Sequence, residues 1–345
     1  MVRAIKVISA RAASIVLTSG IVLPYLASDA LGWGATGHEW VSGIAVELLP
    51  DEIPAFLRTP EVAATIALLG RELDRSKGSG ATHDRERDPG HYINPDDNGS
   101  VFGLPLDRLP ETREAYDTSL RANGMTQYKV GYLPYSIVDG WLQLRKDFAY
   151  WRADVVAAKT AVDAADRAWF DADRQLREKL IVRDLGVWSH YVGDASQPMH
   201  VSIHHNGWGD LPNPNQFSTS TKLHVYFEGE FVRTNLDRAA VKNAVAPYKD
   251  CACNIEERTR TLLLETYKMV VPLYELEKQH GFRKGNSEGI AFTVARLAAG
   301  SSALRDMIVD AWRASADMGV GYPMINVREI EAGRRVLTRK DFGGD

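Results

Sequence analysis

Cysteine is scarce in this chain: Cys251 and Cys253 are the only two in 345 residues, set one residue apart in DCACN. A disulfide framework is thereby excluded. One intervening residue is a poor geometry for an unstrained bridge, so stability has to come mainly from packing, and the sequence leaves the pairing of the two open. A surplus of one charge is also missing, since 41 Lys and Arg face 45 Asp and Glu for a net of −4. A protein that tracks a long nucleic-acid backbone carries a basic excess, so any nucleic-acid contact here is a local one. Beyond residue 32 no apolar run is long enough to span a bilayer, and no alternating run is long enough to build a sheet. Internal repeats and low-complexity linkers are absent as well.

The N-terminus is built differently from the rest. Arg3, Lys6 and Arg11 precede the apolar run ASIVLTSGIVLPYLA, and Ala30 and Gly32 stand third and first before Trp33. That is the layout of a secretory signal peptide over residues 1–32 with a cleavage site after Gly32, and the run is short and broken by Pro24 for a membrane anchor. The expectation is an exported protein, secreted or periplasmic, whose mature part, 33–345, is one domain. Residues 1–32 hold three cations and one acid, so the mature part carries a net of −6.

Ile137, Trp141, Leu144, Phe148, Trp151 and Val155 recur at a four-three spacing that only an amphipathic helix places on one face. The pattern returns in LLLETYKMVVPLYELE, interrupted by Pro272, and at Ile290, Val294, Leu297, Leu304 and Ile308. Residues 41–73 read as one or two shorter helices broken near Pro60, while 78–110 and 201–222 are rich in Gly, Pro, Asn and Asp and read as turns. The fold class expected is all-α, a helical scaffold with polar groups gathered on long loops.

Residues 190–200 read HYVGDASQPMH and look like the end of a buried helix. Four-residue spacing puts His190 and Asp194 on one face, and Gln197-Pro198 stops the helix before His200. Other metal-ligand types are strung along the chain: His38 in WGATGH, Asp74 in RELDRS, His91 in GHYINPDDNG, and His224 and Glu228, again four apart, in LHVYFE. Imidazole nitrogens and carboxylate oxygens are what zinc accepts. Cleavage before Trp33 would free an amine that, with its own carbonyl oxygen, chelates a metal in a five-membered ring.

In these segments and their order the chain resembles the zinc-dependent phospholipase C and single-strand nuclease superfamily, all-α enzymes with three zinc ions in a cleft. The resemblance runs from Trp33 to Glu228. It implies that the Trp33 terminus and His38 hold one zinc, that Asp74, His91 and His190 hold its neighbour with Asp194 bridging the two, and that His200, His224 and Glu228 hold the third. Paired metals lower the pKa of a shared water to near ~7, and a third neutralises charge on phosphoryl oxygens, a combination suited to hydrolysis of a phosphate ester.

Two departures bear on substrate. The short WGATGH spacing is similar to the nuclease branch, whereas Glu228 stands where nucleases usually carry Asp and bacterial phospholipases carry Glu, and HYINPDDNG is phospholipase-like. Asn94 occupies the place of a nuclease Asp that orients the attacking water; since Asn cannot take a proton, Asp74 is a second candidate for that role. Tyr92 and the loop NGWGDLPNPNQF are candidates to stack on a base or bracket a lipid headgroup. His83, His204, His205 and His280 lie outside the pattern, with surface or supporting roles as the default. The function expected is hydrolysis of single-stranded DNA or RNA by a monomer with no stable protein partner, with phospholipid as the alternative substrate.

Overall fold

The computed structural model describes residues 33–209 and 211–343, so the signal-peptide reading falls outside the described residues. Helices of nine residues or more are α1 (Ala35–Glu47), α2 (Pro60–Leu69), α3 (Arg113–Ala122), α4 (Leu133–Thr160), α5 (Ala164–Asp194), α6 (Ile255–Tyr267), α7 (Val270–Lys278) and α8 (Ser287–Ser315). Strand is confined, among the described residues, to two two-residue antiparallel pairs, Ser100–Val101 with Leu104–Pro105 and Gly319–Val320 with Ile325–Asn326. The chain is all-α, as its periodicities require.

The four-three stripe of 137–155 lies on α4, with Ile137, Trp141, Leu144 and Phe148 buried. α4 turns at Ala161-Val162-Asp163 into α5, whose first turn is capped by the Asp163 carboxylate accepting from the Ala165 amide at 2.7 Å. The two helices pack along one another, and α1 and α8 lie against the pair. Buried indoles in this frame are satisfied: Trp141 donates to the Met307 carbonyl and Trp188 to the Ile137 carbonyl, each at 2.9 Å. At about 1.5 Å per residue α5 spans roughly 46 Å. One end carries His190 and Asp194. Near the other, Ala149, Ala153, Ala157 and Ala161 form a stripe of small residues on α4 where Phe170 and the C-terminal Val320, Val327, Ile330 and Leu337 make a second, smaller core.

Prolines mark starts rather than breaks. Pro60 is the first residue of α2, where its missing N–H is no loss, and Thr59 caps that helix; the interruption expected there lies upstream, in 48–59. Likewise the 262–277 stretch divides at Lys268-Met269, and Pro272 sits in the first turn of α7. The expectation of turns throughout 78–110 needs correction, because Ala81–Arg87 is helical and leads into a 3₁₀ turn, Asp88–His91. Gly80, at φ 130°, starts that helix, and the glycines on either side had masked its helix-forming ATHDRER core.

Cys251 and Cys253 form a disulfide, with Cα atoms 5.1 Å apart. The closure is achieved by Ala252, which takes the left-handed region at φ 50°. Restraining so short a loop in the unfolded chain stabilises by roughly 1.5 kcal/mol, and the left-handed alanine costs about 1–2 kcal/mol. The bridge therefore contributes almost nothing to holding the fold.

Asp154, on α4, is fully buried, and neither carboxylate oxygen has a hydrogen-bond partner. Burial, with the like charge of Asp173 from α5, pushes its pKa up to about 9 against the pull of Arg177 and Arg174. A folded pKa above the unfolded one means stability is full at pH below ~3.9 and is lost progressively as pH rises toward the folded value. Asp154→Asn is accordingly expected to raise the unfolding free energy by roughly 1–3 kcal/mol at pH 7 and by almost nothing at pH 4, as read from urea melts of the two proteins.

Candidate metal centre

Six separate segments deliver the ligand-type side chains. His38 stands in the first turn of α1, anchored by the Gly34 amide donating to the Glu228 carbonyl at 3.1 Å. Asp74 opens a 3₁₀ turn after α2, and His91 closes the one ending the 81–91 segment. His190 and Asp194 are the last-turn residues of α5. His200 ends the 3₁₀ turn Pro198–His200, which starts where Gln197-Pro198 stops the helix. His224 and Glu228 lie where a short helix passes into a π-helical turn, Tyr226–Phe231, a distortion that recurs at functional sites and that four-residue spacing alone did not reveal.

These side chains converge into three adjacent groups whose ligand atoms lie within 4.8 Å of one another: His38, Asp74 and His190; His91, His190 and Asp194; and His200, His224 and Glu228. Asp194 is the hub. Its oxygens lie 3.1 Å from His91 Nδ1, 3.4 Å from His38 Nε2 and from His190 Nε2, and 3.7 Å from His200 Nδ1. His190 Nε2 is 3.0 Å from His91 Nδ1, and the His38 and His190 rings stack at 3.7 Å. The third group is as expected, while the first two share His190, and Asp74 stands beside His38 as well as His190.

Backbone carbonyls fix which nitrogen faces inward. His190 Nδ1 donates to the Gly70 carbonyl at 2.8 Å and His200 Nδ1 to the His91 carbonyl at 2.7 Å, leaving each Nε2 as a lone pair directed at the cluster. Only glycine fits at 70, since a Cβ there would collide with Ser42 Oγ, and Gly193 admits the His38 ring, to which a Cβ would stand 3.0 Å away. Gln197 bonds at both ends, accepting from the Met199 amide and donating to Glu228 Oε2 at 3.3 Å.

What these atoms lack is a positive centre. Both ring nitrogens of His38 and of His224, together with Asp194 Oδ1 and Glu228 Oε1, are buried without a hydrogen-bond partner. His224 Nε2 lies only 2.8 Å from Glu228 Oε2 yet makes no hydrogen bond to it. Burial pushes the His190 imidazole down to about 3, helped by the neighbouring His38, and lowers His200 and His224 too, so these rings are neutral ligands at neutral pH. Asp194, although burial opposes its charge, is held well below the ordinary carboxylate range by His190 and His200, and Asp74 is drawn down to about 2 by His190 and Lys77 against the same opposition. Glu228, by contrast, is pushed well above its ordinary range by burial. A cation beside His224 would return it to the carboxylate form. The donor set, nitrogen and oxygen without sulfur, fits zinc and can hold metal ions.

Trp33 enters through its frame: the buried indole donates to Ser196 Oγ at 2.9 Å and rests 5.5 Å from Phe227. The 91–94 segment runs beside the cluster, the Ile93 amide donating to the His200 carbonyl at 2.9 Å. On it Tyr92 lies nearly parallel to His205, at 17° with 6.4 Å between ring centroids, and Asn94 is buried with its Oδ1 unpartnered. In the loop NGWGDLPNPNQF, Trp208 is not a stacking platform, for it is buried against His204, Phe217 and Tyr274 and pins the loop. His204 also reaches Asp97 at 2.7 Å. The sequence reading missed Lys77, whose ammonium lies 2.8 Å from Asp74 Oδ1, three residues away. No protein-family model matches the chain, and no curated protein matches it.

Removing the hub carboxylate should therefore cost more metal than removing a peripheral one. Asp194→Asn is expected to lose at least twice as much bound metal as Glu228→Gln, because the former leaves neighbouring cations repelling across a dry site. Elemental analysis of both variants after dialysis checks this; equal metal content would refute the hub.

Proposed function

We propose that the chain is an exported zinc-dependent phosphodiesterase of the superfamily it resembles, holding three zinc ions and hydrolysing single-stranded DNA or RNA. The observation that carries the reading is the convergence of eight His, Asp and Glu side chains from six segments, all but Asp74 buried and several with ligand atoms that no hydrogen bond satisfies. In this reading His38 and the freed terminus of Trp33 hold one zinc, Asp74, His91 and His190 its neighbour, with Asp194 between them, and His200, His224 and Glu228 the third. Bound zinc supplies Lewis acidity and a water acidic enough to ionise near neutral pH.

The chain's own residues do the rest. Lys77, at the half-buried edge of the site beside Asp74, adds a cation that draws a phosphodiester into an otherwise acidic protein. Asn94 offers a buried amide oxygen that accepts a hydrogen bond and orients the attacking water, and Asp74, an ionised carboxylate, is the second group that can accept a hydrogen bond from it. Tyr92 and His205 favour a nucleic acid over a lipid. Their rings lie nearly parallel beside the cluster and offer aromatic faces on which a planar base can stack.

The zinc-loaded protein is expected to cleave single-stranded DNA and RNA and to leave phosphatidylcholine intact, with Tyr92→Ala raising KM for oligonucleotides roughly tenfold, the worth of one stacked base. Turnover of phosphatidylcholine alone would assign the site to phospholipids. A second test addresses processing. A protein starting at Trp33 should bind three zinc ions, whereas one with a single extra Met before Trp33, whose amine has become an amide, should keep the helical fold and lose one zinc and most of its activity. Full metal content and activity in the extended protein would reduce Trp33 to a packed aromatic.

A further inference from the structure

The Cys251–Cys253 bridge lies far from the chemistry of the metal ligands in sequence and contributes little to stability, yet it borders a built recess. A groove of about 400 Å³ beside α4, α6 and α8 is lined by two cations, Arg145 and Arg313, by the carboxylates of Asp250, Glu256 and Asp310, and by Cys253. Its charges are unequally employed. Arg313 is paired with Glu52 at 2.7 Å, and Asp310 with Arg258 at 2.5 Å. Arg145 has no carboxylate partner among the described residues; its guanidinium lies 5.3 Å from the centre of the Trp141 ring, and its buried Nε has no hydrogen-bond partner. Both cysteines are half-buried rather than enclosed, and of the two Cys253 faces the groove. Accessible bridges that do little for the fold are the ones that exchange with thiols.

We propose that Cys251–Cys253 is a thiol–disulfide exchange site whose co-substrate is a carboxylate-bearing thiol, seated in this groove with its carboxylate on Arg145. The incoming thiolate attacks Sγ of Cys253, the Cys251–Cys253 bond breaks, and Cys251 leaves as a thiolate that takes up a proton. A second thiol attacks the sulfur of the first in the mixed disulfide and releases Cys253 as a thiol. Two co-substrate thiols thereby become one disulfide, and the bridge becomes two thiols, with two electrons and two protons transferred.

The test uses the full chain, glutathione as the charged thiol and mercaptoethanol as the uncharged one, with rapid alkylation and mass analysis as the readout. Millimolar glutathione at neutral pH is expected to open the bridge within minutes, and the single thiol left in Cys251→Ser to take up one glutathione on Cys253 from glutathione disulfide, releasing the other as a thiolate. Arg145→Glu should slow the glutathione reaction about fivefold or more, the worth of a partly exposed ion pair, and leave the mercaptoethanol rate unchanged, with Arg145→Lys close to wild type. A bridge that stays closed for hours in glutathione would overturn the proposal, as would an Arg145→Glu variant that reacts equally with both thiols relative to wild type. Circular dichroism of each variant separates these results from misfolding, and since no phosphodiester is hydrolysed in the assay, its outcome does not depend on the zinc reading.

Discussion

A carboxylate with no exposed surface, Asp194, stands among four imidazoles, and the arrangement around it depends on how that buried charge is met. An ionised carboxylate removed from water carries a penalty of several kcal/mol unless opposite charge lies close by. Neutral histidines offer lone pairs and ring dipoles, which is half of an answer. The other half would be a cation, which this donor set can hold. Read in this way, the unsatisfied nitrogens of His38 and His224 are the outward sign of a site whose polar groups point at a common interior and at no protein partner.

Such a site has to be stiff, because ligand atoms displaced by half an ångström lose a metal to water. Stiffness comes from main chain. Carbonyls of Gly70 and His91 grip the outer nitrogens of His190 and His200, and Gln197 ties Glu228 to the turn that carries His200. The helices supply the fixed coordinates: α1 and α5 are locked by the close approach at Gly193, and Trp33 is keyed into Ser196 at the other end of the same turn. Polar function on loops is thus braced by backbone that belongs to the frame.

Much of this was legible in the residues. A period of 3.6 made α4 and α8 readable, and the same period placed His190 and Asp194 on one face with a stop before His200, so the core of the site followed from local geometry. The helix at Ala81–Arg87 was hidden because the flanking glycines dominate a compositional reading, and the π-helical turn under Glu228 was hidden because one extra residue per turn leaves no mark on residue type. Lys77 was overlooked, and the contacts of Gln197 and His205 went unread, for a different reason. Gln197 and His205 meet distant segments, at Glu228 and Tyr92, and a lysine three residues from an aspartate is commonplace until the aspartate is seen to face a cluster. The pairing of Cys251 with Cys253 turned on a single left-handed alanine, a choice of backbone that residue type disfavours.

The spread of the ligands also bears on how the molecule is made. His190 and Asp194 meet as soon as one helical turn forms, but His38 and Glu228 lie roughly 190 residues apart, and contacts of that separation are among the last to close because of their chain-entropy cost. A nascent chain therefore owns a two-ligand seed too weak to retain an ion, and the complete set exists only when α1, α5 and the 223–235 segment have docked. Any metal that the set holds would make its uptake a checkpoint on assembly, since retention would certify that the distant segments of one polypeptide have found each other.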